Sequence, residues 1–269
     1  MSKPRTYSGA NIEISFDMAR CIHARNCFLK LPDVFDPSRR PWVNPDAASA
    51  DEIAAMVRTC PSGALRYKRL DAVADEAPPK LNRVAVLENG PLAVHGDLTI
   101  GGESQTRVTL CRCGKTKNPP HCDYSHVEAG FEATGEPNPE GKEAKLDIGA
   151  GLTIAGREDG PLLAKGSMEI TTGTGRRIAQ AEMAPLCRCG LSSNKPYCDG
   201  SHRAGDFKVN ETTKRLRNSK RALSCTRRRW RRNGIYLGAG EKGLCLGRKK
   251  TAQRRVRPIQ PTSVSAVGG

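Results

Sequence analysis

The sequence predicts an α+β protein: a string of small modules made of short strands and brief helical turns. Three observations point there. A sixteen-residue stretch rich in cysteine and histidine occurs twice, at 111–126 and 187–202. Strand-like pieces precede each occurrence. Hydrophobic residues make up 37% and aromatics 4% of the 269 residues, too few for one large core and better suited to modules stapled by inorganic centres.

Residues 1–75 read as the first unit. Asn11–Ser15 alternates like a short strand, and Leu65–Arg69 reads as a second. Between them, Ser49 and Glu52 make a capping box ahead of an Ala-rich helix that ends near Thr59, where Cys60-Pro61 closes it. Its chemistry lies in Cys21, Cys27 and Cys60. A bacterial-type ferredoxin holds its cluster with C-x2-C-x2-C and a distant Cys-Pro. Here Cys21 and Cys27 bracket five residues, Cys60-Pro61 supplies the distant pair, and Ala24 stands where the middle cysteine would be. The segments CIHARNC, RPWVNP and CPSGAL resemble a divergent single-cluster ferredoxin domain. Three thiolates can hold a [3Fe–4S] cluster, or a [4Fe–4S] cluster if another group takes the fourth iron; His23 is the nearest candidate. On the blander reading His23 is a solvent-facing loop residue and the cysteines are small core residues.

Asp75–Lys80, with its Ala-Pro-Pro, is a linker. A second unit, 81–148, begins with strand-like Val84–Leu87, Leu92–His95, Leu98–Ile100 and Val108–Leu110. A third, 149–212, restarts that pattern over Ala150–Ser167. Each carries a Gly-Pro-Leu (Gly90–Leu92, Gly160–Leu162) followed by a further glycine, Gly96 or Gly166. The offset grows from 70 there to 76 at the motifs, which places about six extra residues around Thr171–Arg177. His95 has no ligand spacing and reads as a surface residue. The polar residues 136–144 read as the loop between the copies.

The two motifs, CRCGKTKNPPHCDYSH and CRCGLSSNKPYCDGSH, agree at ten of sixteen positions. Cys111, Cys113, Cys122 and His126 fill the slots of Cys187, Cys189, Cys198 and His202. Three thiolates and one imidazole suit zinc or an iron–sulfur centre alike. Zinc sites usually space cysteines C-x2-C, so the C-x-C start and the long C-x8-C gap favour iron–sulfur. His121 becomes Tyr197 in the twin and is therefore a poor ligand. Asp199 reads as a helix N-cap that sets His202 at the third helical position. The second copy resembles the signature of the CDGSH iron–sulfur domain, the mitoNEET-type family, at every position. The first departs at Tyr124, where the family has Gly. The resemblance covers roughly residues 81–212. It implies a [2Fe–2S] cluster in each copy, held by three Cys and one His under a cap of strands in an α+β fold. It also implies pairing of the two units as an internal pseudo-dimer. Arg112 and Arg188 are expected to temper the cluster charge, with solvated surface arginines as the alternative; Asp123, Asp199 and Ser201 are expected to line the cofactor.

Eleven cysteines, nine of them in ligand-like spacings, with no signal peptide and no membrane-length apolar run, point to a reducing, cytoplasmic setting. The net charge of +16 misleads: 17 of the 44 basic residues but two of the 28 acidic ones lie from residue 211 onward, so residues 1–210 carry 27 against 26. Residues 213–269 read as a basic, disordered tail, in which Cys225 and Cys245 are lone thiols. The tail is a nucleic-acid-binding arm, a solvated extension, or translation in a shifted frame past an original stop. The expectation is a carrier rather than an enzyme, passing single electrons or whole clusters to redox or acceptor proteins. The alternative is a nucleic-acid-binding protein with structural zinc modules.

Overall fold

The computed structural model describes residues 3–137 and 143–209. The sequence-predicted tail, its two thiols and most of the polar loop at 136–144 lie outside them.

The first unit is a three-stranded antiparallel sheet in the order β1-β2-β3, from Arg5–Ser8, Ile12–Phe16 and Leu65–Arg69. Alternation along β2 turns Ile12 and Ile14 into a core with Val34, Phe35, Val43, Ile53 and Val57. Helix α1 (Asn26–Lys30) carries Cys27, and α2 (Ala50–Arg58) lies across the sheet. The capping box forms as its sequence requires: Ser49 Oγ accepts from Glu52 N and the Glu52 carboxylate accepts from Ser49 N. Strand β1 escaped the sequence reading because its own pattern is polar; pairing with β2 makes it a strand.

Six further strands form one sheet: β4 (Asn82–Val86), β5 (Leu92–Ile100), β6 (Glu103–Leu110), β7 (Leu152–Gly156), β8 (Leu162–Thr172) and β9 (Arg177–Leu186). The two repeats exchange their first strands. β4 pairs antiparallel with its own β5 and parallel with β8; β7 pairs antiparallel with its own β8 and parallel with β5. The registers are reciprocal, with Asn82 opposite Met168 and Leu98 opposite Leu152, each pair related by the 70-residue offset. Four pairings thus close into a ring, flanked by β6 and β9, around a core of Val84, Val86, Leu98, Ile154, Met168 and Ile170.

The pieces predicted as Leu92–His95 and Leu98–Ile100 are one strand whose register slips between His95 and Leu98. The glycine after each Gly-Pro-Leu sits at that slip. A Cβ on Gly96 would lie 2.2 Å from Asn82 Oδ1, and one on Gly166 would lie 2.3 Å from the Gly151 carbonyl. Asn82 ties the crossing together. Its amide donates to the Ala150 and Ser167 carbonyls, and its oxygen accepts from Asp97 N. The extra residues of the second copy lengthen the β8–β9 hairpin, which turns at residues 173–176.

Candidate metal centres

Each motif leaves the end of β6 or β9 as a loop laced to itself. Cys111 N donates to Pro120 O and Cys122 N to Thr109 O; Cys187 N to Pro196 O and Cys198 N to Pro185 O are the counterparts. Thr116 Oγ donates to His121 O at 2.7 Å, as Ser192 Oγ does to Tyr197 O. These bonds bring residues nine positions apart side by side. Cys111 and Cys113 Sγ lie 3.6 Å apart, and Cys122 Sγ lies 3.3 Å from His126 Nδ1. In the second copy the separations are 3.7 and 3.4 Å. A tetrahedral ion with metal–sulfur distances of about 2.3 Å has an edge near 3.8 Å, so each pair spans one ion. Among the described residues no three Cys, His, Asp or Glu side chains converge on a single point.

Burial makes Cys111, Cys122 and Cys189 poor acids. Its hydrogen bond to Cys113 and burial hold Cys111 well above the ordinary thiol range, while the same hydrogen bond lowers Cys113 to about 7. Desolvation pushes Cys122 up to about 12, and raises Cys189. Desolvation also holds the His126 imidazole below its usual value, keeping it neutral and able to bind metal. Backbone N–H groups point at the sulfurs: Gly114 N at Cys111 Sγ (3.3 Å), Lys115 N at Cys113 Sγ and Leu191 N at Cys189 Sγ, both 3.4 Å.

The predicted N-cap at Asp199 is corrected. Residues 201–206 form turns and no helix, and in the first copy the N-cap of α3 (Ser125–Glu128) is Tyr124. Asp123 and Asp199 instead fasten the loops. Each accepts from the N–H and hydroxyl of the serine two residues on, and from the N–H of Lys117 or Ser193. Ser201 is therefore spent on Asp199. The solvated alternative for the arginines fails too. Arg112 is 1% exposed and donates to the carbonyls of Leu87, Gly90, Ala133 and Thr134; Arg188 is buried and donates to Arg157 and Gly160. Each guanidinium lies over a phenylalanine, Phe131 or Phe207, which the sequence reading missed although they share the 76-residue offset. Burial lowers Arg112 to about 10, still charged at neutral pH, while Glu88, Cys187 and Cys113 act on it in the opposite direction.

The two loops meet at their glycines. Cys113 and Cys189 form a β-bridge, and a Cβ on Gly114 or Gly190 would lie 2.4 or 2.6 Å from the other loop's cysteine carbonyl. Both glycines have positive φ, so no other residue fits there without strain.

In the first unit Cys21, Cys27 and Cys60 line one cavity of about 1080 Å³ together with His23, Trp42 and Tyr124. Desolvation raises Cys21 and Cys27, and Cys60 adds to both shifts, so the three thiols sense one another. Ala24 lines the same wall.

A family model described as "Divergent 4Fe-4S mono-cluster" matches residues 7–70, and one described as "Iron-binding zinc finger CDGSH type" matches twice, at 89–127 and 159–203. The chain belongs to the CDGSH iron–sulfur family, with a divergent mono-cluster domain ahead of the two motifs. Two Escherichia coli relatives, both "Uncharacterized protein YjdI", from strain K12 and from O157:H7, are each 38% identical over 64 residues. The match takes in 24% of this chain and 84% of theirs. The matched mono-cluster and CDGSH domains are iron–sulfur-binding domains. No helix among the described residues is long and apolar enough to cross a membrane.

The first CDGSH site is the one the mono-cluster unit covers. Arg107, on β6, donates to the carbonyls of Val57, Cys60 and Leu65, and pairs with Glu76 at 2.7 Å. Arg20 donates to Gln105, and Asn118 reaches the Ala19 carbonyl at 3.0 Å. His121, predicted not to be a ligand, lies under this contact. Its Nε2 is sealed without a partner, and desolvation lowers the ring to about 4. Tyr124 stands at φ +77° where Gly200 has +94°, a conformation costing about 1–2 kcal/mol for a residue with a side chain. The sequence marks this position as a departure from the twin; where the ring goes is not readable from it.

Proposed function

We propose that the protein is a one-electron carrier with three centres in series: one in the mono-cluster unit and a [2Fe–2S] centre in each CDGSH site. The observation that carries this reading is the split of each donor set into two pairs, Cys–Cys at 3.6–3.7 Å and Cys–His at 3.3–3.4 Å. Two pairs serve two irons; a single zinc ion would draw all four groups to one point. When bound, the clusters supply the one-electron chemistry. The chain supplies the rest: Arg112 and Arg188 place buried positive charge beside the thiolates, and backbone N–H groups donate to the sulfurs. An imidazole in place of a fourth thiolate also raises the potential. The reciprocal strand exchange supports treating the two CDGSH units as an internal pseudo-dimer. The described cysteines are all free thiols, in keeping with a reducing, cytoplasmic setting.

A second role, release of a cluster to an acceptor protein, fits the second site better than the first. Cys198 and His202 are half-buried, whereas Cys122 and His126 are buried. The test is iron and sulfide analysis with EPR on anaerobically purified protein. Red-brown protein with dithionite-bleachable absorbance and a binuclear reduced signal supports the proposal; colourless protein with stoichiometric zinc rejects it.

A further inference from the structure

In the first CDGSH copy the ring of Tyr124 stands between two imidazoles. His23, from the cysteine loop of the mono-cluster unit, meets it edge to face at 5.0 Å between centroids and 69° between planes. His126, from the first CDGSH donor set, meets it at 5.2 Å and 78°. Both are ordinary aromatic contact distances. Tyr124 also lines the cavity of Cys21, Cys27 and Cys60, so its ring borders both donor sets at once. The backbone is left-handed at both His23 (φ +52°) and Tyr124 (φ +77°), and neither residue is a glycine. Such a backbone persists only where its surroundings hold it, and here it occurs at two residues whose side chains meet. The second copy has Gly200 at this place and no such ring.

We infer that Tyr124 bridges the mono-cluster centre and the first CDGSH centre, with its ring filling the gap between His23 and His126 so that an electron crosses through packed atoms. This rests on the serial-carrier reading and adds to it an entry point: of the two CDGSH sites, the first is wired to the mono-cluster unit. Tunnelling falls off more steeply across water or empty space than across atoms in contact, so a filled gap is faster than an open one. In each crossing the mono-cluster centre is oxidised by one electron and the CDGSH centre, raised in potential by its imidazole, is reduced by one. No bond is made or broken and no proton is required. Tyr124 is a bridging and positioning residue; the rings need only stay in contact.

The test uses the full-length, cluster-loaded protein. Hydrated electrons from pulse radiolysis reduce it partly, and freeze-quench EPR follows the redistribution between centres. Three variants are compared with wild type: Tyr124→Gly, the residue of the second copy; Tyr124→Asn, which tolerates a left-handed backbone; and Tyr124→Phe, which keeps the ring. The two ringless variants relieve the backbone, so slower transfer in them is not due to strain introduced by the change. Transfer to the first CDGSH centre should slow by an order of magnitude or more in both, with each centre's own EPR signal unchanged, and should stay near wild type in Tyr124→Phe. Wild-type rates in the loaded Gly and Asn variants would overturn the bridge while leaving the serial carrier standing. A Tyr124→Phe rate as slow as the Gly rate would also overturn it, since the ring would then not be the conduit. A loaded wild-type protein in which electrons never pass between the centres would overturn the serial carrier and the bridge together.

Discussion

The two CDGSH copies are built from nearly the same sixteen residues, yet they differ in what lies over them. On β6, Arg107 is buried and its guanidinium is filled by three carbonyls and Glu76 of the mono-cluster unit and linker. At the same place on β9 stands Met183, 60% exposed. His126 is 9% exposed, and His202 is half-buried. Tyr124 touches two imidazoles where the twin has Gly200. One ligand cage thus gives two sites of different accessibility, and the difference comes from the neighbour, not from the motif. On the serial-carrier reading proposed above, the covered site is the one placed to exchange electrons within the molecule and the bare one to meet partners.

The largest test of this contrast removes one cage at a time. Cys111→Ser should abolish the first CDGSH signal and Cys187→Ser the second, each leaving the other site's iron in place by EPR and iron analysis; loss of both from either change would show that the copies load only as a unit. Next is the cover itself. Arg107→Ala breaks a buried ion pair and strips partners from three carbonyls, so it should cost about 3–5 kcal/mol in thermal or denaturant unfolding. Met183→Ala should stay within about 0.5 kcal/mol. Equal costs would erase the distinction between covered and bare edges.

Acid should also separate the sites. Iron needs neutral imidazole, and burial holds His126 below its usual pKa, so the proton enters it only at lower pH than it enters an open ring. In the cluster-free fold, burial of the His126 ring leaves stability unchanged above the ordinary imidazole pKa and erodes it as the pH falls from there to the lowered value. In the loaded protein, absorbance followed through an acid titration should bleach in two steps, the less buried second site first; single-site Cys111→Ser and Cys187→Ser proteins assign them. Bleaching in the reverse order would contradict the protection given by the cover. The smallest effect concerns loop fastening. Ser201→Ala removes one hydroxyl from Asp199 in the outer loop and should cost about 0.5–1.5 kcal/mol, as Ser125→Ala should at Asp123 in the inner one.

Much of this was written along the chain. Residue spacing alone gave the eight Cys and His positions that pair across the loops, because ligands close in sequence must be close in space. The strand Leu65–Arg69 and the helix ending at Thr59 were legible for the same reason: alternation and capping boxes act within a few residues. Longer-range arrangements were not. Polar β1 is a strand because β2 lies beside it, and the N-cap assigned to Asp199 failed because residues 201–206 form turns, with no helix there to cap. Four carbonyls brought from distant loops decide that Arg112 is buried. The sequence by itself determined the donor chemistry, the repeat and the iron–sulfur family, since these depend on residue identity and short spacings. Only the tertiary structure decided that the copies exchange strands, that one is covered and that Tyr124 joins two imidazoles. Those outcomes depend on which surfaces the whole chain brings into contact, and no local pattern encodes that.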